Sequence, residues 1–220
     1  MGKTISKIYD FSGMLKRVIM SLIGVTLISF GLAFNSIAGL GNDPLAVFFD
    51  GVRNVMRLSQ DKLGTAIMVL NIVLGIIVFI LGRKYIKIGT FIYVLPMGLL
   101  TNFGFVLYSM LGIPTDVLIW RIVSVTLGCL MIFTGLALFI VADIGLDPWT
   151  GSLMIIRDKI NKPYKSIKVA TDIMFVIVGY IMGGVAGWAT LVAALVGGPC
   201  IQWICKLLEN TVCKWFKIKE

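Results

Sequence analysis

The chain contains no histidine, which removes the commonest metal ligand and general base. Its four cysteines, Cys129, Cys200, Cys205 and Cys213, show no Cys-x-x-Cys spacing and lie in or beside apolar stretches. They read as small packing residues rather than as disulfides or a metal site. Charge is also scarce: 14% of the residues are Asp, Glu, Lys or Arg, too few for the surface of a soluble domain this size. No phosphate-cradling Gly-x-x-x-x-Gly-Lys loop, Gly-x-Ser-x-Gly elbow or His-Glu-x-x-His pair occurs, and no two carboxylates are spaced for acid–base work. No enzyme, cofactor or metal is expected.

What fills the chain is apolar sequence. Hydrophobic residues make up 58% of it and mean hydropathy is +0.97. Several apolar runs reach about 20 residues, the length that crosses a bilayer. The expected class is an all-α polytopic membrane protein forming one membrane domain over 1–220. The net charge of +9, from 20 basic and 11 acidic residues, is read as loops facing the cytoplasm and its anionic lipids, not as a nucleic-acid surface.

Six spans are expected. They run at about Val18–Leu40, Leu63–Leu81, Ile88–Leu111, Leu118–Ile144, Val169–Met182 and Trp188–Leu208. The first is too long for a signal-peptide core and lacks an Ala-x-Ala-like site, so it reads as a retained span. Basic residues gather before it (Lys3, Lys7, Lys16, Arg17), at 83–87, at 157–168 and in the tail (Lys214, Lys217, Lys219), while the 112–117 and 183–187 turns carry none. That pattern places both termini in the cytoplasm. Arg53, Arg57 and Lys62 run against it, on a segment expected to face out.

One stretch occurs twice, offset by 104 residues. Gly31-Leu-Ala-Phe-Asn-Ser-Ile-Ala-Gly-Leu-Gly-Asn-Asp-Pro-Leu45 matches Gly135-Leu-Ala-Leu-Phe-Ile-Val-Ala-Asp-Ile-Gly-Leu-Asp-Pro-Trp149 at seven of fifteen positions. In each copy an apolar helix meets Gly-x-Asp-Pro and a short amphipathic helix follows. Asp is a good N-cap, and Pro suits the first helical position, where an N–H is dispensable. The first short helix, 45–58, carries Leu45, Phe48, Phe49, Val52 and Met56 on one face and Asp50, Arg53, Asn54 and Arg57 on the other. Its fourteen residues span about 21 Å against a hydrocarbon core of roughly 30 Å, so it is interfacial or re-entrant. The second runs over 149–160. Three spans per copy, 14–112 and 118–212, is an odd number, so the two repeats would insert in opposite senses.

Inverted repeats with broken helices are a pattern of secondary transporters, whose half-helix N-termini point at a central site. On this reading Asp43 and Asp147 contact substrate or ion, with Gly41, Pro44, Gly145 and Pro148 breaking the helices. The plainer reading is two surface turns. Asp172, about a turn inside the fifth span, and Asn71, its counterpart in the second, join the candidates, against the alternative of ordinary interhelical hydrogen bonds. Trp149 is either an interfacial anchor or an aromatic wall for a solute. Gly98 and Gly198 are expected to permit close helix approach. The expectation is a secondary transporter or facilitator of a small cationic or zwitterionic solute, with the lipid bilayer as its surroundings and a second copy of the chain as a candidate partner. Its rival is a non-transporting scaffold or accessory subunit.

At Gly41-x-Asp43-Pro44 and Gly145-x-Asp147-Pro148-Trp149, with Ile88-Gly89-Thr90 opening the third span, the sequence resembles the YczE/YyaS/YitT group of bacterial integral membrane proteins. Leu45 departs from the Pro-Trp pattern in the first copy. The resemblance implies a bacterial plasma-membrane protein discussed as a transporter, and supplies no substrate.

Overall fold

The computed structural model describes residues 11–209. The lead-in before Phe11 and the tail from 210, with Lys3, Lys7, Cys213, Lys214, Trp215, Lys217 and Lys219, lie outside the described residues. Among the described residues the fold is all-helical: α1 Phe11–Ala38, α2 Pro44–Val55, α3 Leu63–Leu81, α4 Ile88–Met110, α5 Leu118–Ala142, α6 Pro148–Ile160, α7 Tyr164–Ile181 and α8 Trp188–Leu208. Single 3₁₀ turns at Gln60–Lys62 and Arg83–Tyr85 precede α3 and α4. Five helices, α1, α3, α4, α5 and α8, are long and apolar enough to cross a membrane. The fifth expected span falls on α7, which is not among those five: Lys165, Lys168 and Asp172 make it the most polar of the long helices. Helices α2 and α6 are short, 12 and 13 residues.

Helix α1 is the centre of the bundle, packed against α5 and α4. It runs antiparallel to α5, because its start meets the end of α5 (Arg17 to Ala142) and its end meets the start of α5 (Arg121 to Ala38). Glycines set the separation. A Cβ on Gly24 would meet the Gly135 carbonyl oxygen at 2.7 Å, and one on Gly31 would meet the Ile132 side chain at 2.7 Å. Backbones that close gain dispersion contact that lipid tails cannot offer. Above this crossing lies a continuous core that includes Val25, Ile28, Phe49, Ile67, Tyr93, Met97 and Phe139.

The short helices pack across the bundle, not onto their own neighbours alone. α2 lies against α7, and α6 lies against α3. A glycine meets a valine at both crossings with the roles exchanged. Gly179 of α7 receives Val47 of α2, and Gly151 of α6 receives Val78 of α3.

Two expectations need correction. The polar face of the first short helix is largely turned inward, with only Arg57 exposed. Asp50 is buried and pairs with Arg53 at 2.8 Å, and its second oxygen accepts the Val185 N–H at 2.9 Å. Asn54 donates to the Gly183 carbonyl. Arg53, which also donates to Leu58 O at 2.7 Å, is therefore a structural charge and not a loop charge. Gly98 does permit close approach, to the Gly64 carbonyl, but Gly198 has nothing within 4 Å.

Candidate functional site

Both copies of the repeated stretch leave their helix through the same backbone. Gly39 and Asp143, which end α1 and α5, take φ of +62° and +50°, and Gly41 and Gly145 take +104° and +146°. Such angles favour glycine, and at Gly41 a Cβ would also strike Gly187 N and Thr190 Oγ1, both at 2.6 Å. Asp43 (φ −62°, ψ 159°) and Asp147 (φ −66°, ψ 157°) are then N-caps of α2 and α6. Asp43 Oδ1 accepts the Ala46 N–H at 2.9 Å, and Asp147 Oδ1 accepts those of Trp149 and Thr150 at 3.1 and 3.0 Å. Pro44 and Pro148 are both buried at the first helical position.

Each turn is clamped by the start of a helix from the other half. Ala189 N donates to Leu40 O at 3.2 Å, and Gly89 N donates to Ile144 O at 2.9 Å. Thr190 Oγ1 accepts the Asn42 N–H at 3.2 Å, and Thr90 Oγ1 donates to Leu146 O at 2.7 Å. Arg121 donates to Ala38 O and Gly39 O at 2.6 and 3.1 Å, while Arg17 donates to Ala142 O at 2.8 Å. These groups satisfy backbone polar atoms left without partners where the two helices end.

The short helices start near each other and end far apart. The C-terminal half of α2 faces the 183–185 turn through Asp50 and Asn54. The C-terminal end of α6 faces the opposite loop, where Asp158 is bound by Lys84 at 2.6 Å and by Tyr85. At their N-terminal ends, Trp149 makes edge contacts with Phe48 and Phe49, ring centroids 5.8 and 5.6 Å away, and with Phe175 of α7 at 5.1 Å. Tyr93 of α4, buried against Phe139 at 5.2 Å, lies within electrostatic reach of both Asp43 and Asp147.

The structure thus gathers Asp43, Asp147 and Trp149 about one place, and adds α7. Lys168 and Asp172 form an ion pair within electrostatic reach of Asp43. Tyr164, at the start of α7, senses Asp147 and Asp172 as well. Asn71 is not in this group. It is a fully buried residue of α3, donating at 3.6 Å to the Sδ of Met97, one turn along α4 from Tyr93, and its Oδ1 has no partner. The Trp149 Nε1 is likewise buried without a partner. Because each capping carboxylate uses only Oδ1, its Oδ2 stays available to a second partner.

A family model matches residues 15–206: DUF6198, a family of unknown function. The chain belongs to that family. An uncharacterised protein of Haemophilus influenzae is 20% identical over 195 residues, covering 89% of this chain and 86% of its own length. No solved structure matches the chain. The name DUF6198 is not the YczE/YyaS/YitT name expected from the Asp-Pro-Trp motif, so that finer placement is not carried by the match. The DUF6198 span, 15–206, takes in both Asp-Pro turns and all eight helices' cores.

Several site-building residues escaped the sequence reading. Arg17 was placed in a cytoplasmic lead-in, yet it is buried and 7% exposed. Its signal was available, because Arg17 and Arg121 are separated by the same 104 positions as the two Asp-Pro pairs. Tyr93 and Phe48 gave no such signal, since an aromatic residue in an apolar span is common and carries no spacing.

Proposed function

We propose that this DUF6198 member is a secondary transporter or facilitator of a small solute in a bacterial plasma membrane. In this reading the chain crosses six times, in two inverted units, α1–α4 and α5–α8. Helices α2 and α6 are re-entrant, entering from opposite faces. The observation that carries it is the meeting of Trp149 on α6 with Phe48 and Phe49 on α2, next to the two Asp caps. Two helix N-termini aimed at one interior point, from opposite ends of a bundle, are what a central solute site requires. A surface turn does not require it.

The charges near that point favour a cationic or zwitterionic solute. Asp43 and Asp147 offer carboxylate oxygens to an ammonium group, and Lys168 offers an ammonium to a carboxylate. The test is thermal stability of the purified protein in detergent against a panel of amino acids, amines and alkali cations. A ligand at about 100 times its dissociation constant adds roughly 2.7 kcal/mol of stability. At least one compound should stabilise the native protein and fail to stabilise Asp43→Asn and Asp147→Asn. A flat panel, together with a co-purifying protein partner, would favour the scaffold instead.

A further inference from the structure

We infer that α7 is the gate of this molecule, and that it closes onto α8 at Gly198 as α3 is already closed onto α4 at Gly98. The inference rests on the transporter reading and adds to it which seam opens and where.

The two halves share one set of devices where the chain turns. Their turns, Arg clamps, Thr clamps and glycine–valine crossings are reciprocal. The third and fourth helices of each half are not. α3 packs along α4: Gly98 lies against the Gly64 carbonyl, and Asn102 donates to Thr65 Oγ1 at 3.1 Å. α7 and α8 scarcely touch, although only the 182–187 turn separates them in sequence.

The residues at the matching positions have the chemistry of a contact that is not made in this conformation. Gly198 stands 100 residues after Gly98, and it is exposed with nothing within 4 Å. Gln202 stands 100 after Asn102, and Ser166 stands 101 after Thr65; both are exposed. Gln202 is exposed on α8, a helix apolar enough to cross a membrane, and an amide facing lipid is costly unless it finds a partner. The Asn102–Thr65 bond shows the partner it would find. Lys165 stands where α3 has Gly64, so the α7–α8 seam closes less tightly than its counterpart, and the ammonium can snorkel to the nearby end of the bundle.

The swing has a fixed point. A Cβ on Gly179 would meet the Val47 carbonyl oxygen at 2.6 Å, so α7 is pinned to α2 near its C-terminal end. Its N-terminal half, where Ile167 is buried but Tyr164, Lys165 and Ser166 are exposed, is held more lightly, through α6. Rotation about the Gly179 crossing moves Lys168 and Asp172, and with them the polar side of the Asp43 and Trp149 site. In this conformation the α3–α4 seam is packed and the α7–α8 seam is not. Exchange of the two arrangements would carry the polar side of the site from one half to the other, as alternating access through a fixed site requires.

The test uses spin labels at Ser166→Cys and Gln202→Cys in a chain whose four native cysteines are replaced, reconstituted in lipid vesicles. Distance measurement should show a long and a short separation. Gly98→Leu, which forces α3 off α4, should shift the population to the short one. A Thr65→Cys/Asn102→Cys disulfide, read with labels introduced afterwards through an orthogonal chemistry at 166 and 202, should abolish the short one. A single separation, unchanged by both alterations, would overturn the gate. Because no solute is needed, that result leaves solute binding, tested separately with Asp43→Asn, free to stand or fall by itself.

Discussion

Arg17 and Arg121 do the same work for each other's helix. Arg17 of α1 donates to the last carbonyl of α5, Ala142, at 2.8 Å, and Arg121 of α5 donates to the last carbonyl of α1, Ala38, at 2.6 Å. The result is a closed exchange: each long helix carries the group that ends the other, just where the chain turns towards Asp43 or Asp147. A buried helix end without such a donor leaves carbonyls unsatisfied in a place with little water.

Removal of that donor should therefore be felt. Arg121→Ala is expected to cost about 1–3 kcal/mol, the usual penalty for orphaning a buried polar group. Arg121→Lys should recover part of it, because a lysine reaches one carbonyl and not two. Thermal unfolding of the three proteins in detergent checks this. Equal midpoints for native and Arg121→Ala would mean that the contact contributes nothing.

The two Asp caps separate structure from chemistry. Asparagine caps a helix about as well as aspartate, while alanine costs about 0.5–2 kcal/mol. Asp147→Asn should thus unfold close to the native midpoint and Asp147→Ala clearly below it. Asp147 accepts two N–H groups and Asp43 accepts one, so Asp147→Ala should be the costlier alanine. A calorimetric or fluorescence melt decides the order.

The glycine–valine exchange gives a comparison between sites. At Gly179 an added methyl meets the Val47 backbone carbonyl at 2.6 Å, and backbone cannot move aside; at Gly151 it meets the Val78 side chain at 3.1 Å. Gly179→Ala should cost about 1–3 kcal/mol through overpacking. Gly151→Ala should cost less, since the Val78 side chain can shift, and the roughly 1 kcal/mol that helix propensity returns at either site then offsets more of the cost. If Gly151→Ala proved the more damaging, the α2–α7 crossing would not be the tight one.

Much of this was legible in the sequence, and for physical reasons. The Gly-x-Asp-Pro turns carry their own instructions: glycine for the positive φ, aspartate for the cap, proline for the first helical turn. The long helices followed from apolar length alone. The inward face of α2 did not follow, because Asp50 is satisfied by the Val185 N–H, 135 residues away, and amphipathic spacing cannot see such a partner. Apolar periodicity puts Leu45, Phe48, Phe49, Val52 and Met56 on one face. Phe49 is in the core and Leu45 and Phe48 pack against it, while the structure also buries Ala46, Val47, Asp50 and Gly51. The candidate site was half legible. Asp43, Asp147 and Trp149 come together, but the pairing of Lys168 with Asp172 beside Asp43 is visible only in the structure. Asn71 was grouped with them through its offset from Asp172, whereas the structure buries it against Met97.

At the α6 end, Asp158 is held well below the ordinary carboxylate range by hydrogen bonds from Lys84, Tyr85 and Arg157. A carboxylate depressed in the folded state stabilises the fold above its unfolded pKa, about 3.9. That contribution is lost as pH falls below that value and through the folded pKa. Asp158→Asn should therefore lower the unfolding midpoint at pH 7 and converge on the native protein in strong acid. The gap should be small throughout, because the group is on the surface. A gap that stayed constant with pH would show that the ionised carboxylate is not what ties α6 to the 83–85 turn.

The most direct measurement is solute flux through the purified protein in sealed liposomes. Gradients of amino acids, amines or alkali cations would be imposed one at a time, with an entrapped pH-sensitive dye and a membrane-potential dye as reporters. At least one gradient should give a signal with the native protein that is lost in both Asp43→Asn and Asp147→Asn, although those variants reconstitute and unfold normally. Signals identical in the native and variant proteins, or no signal above protein-free liposomes for any gradient, would contradict a solute path between the two Asp-Pro helices.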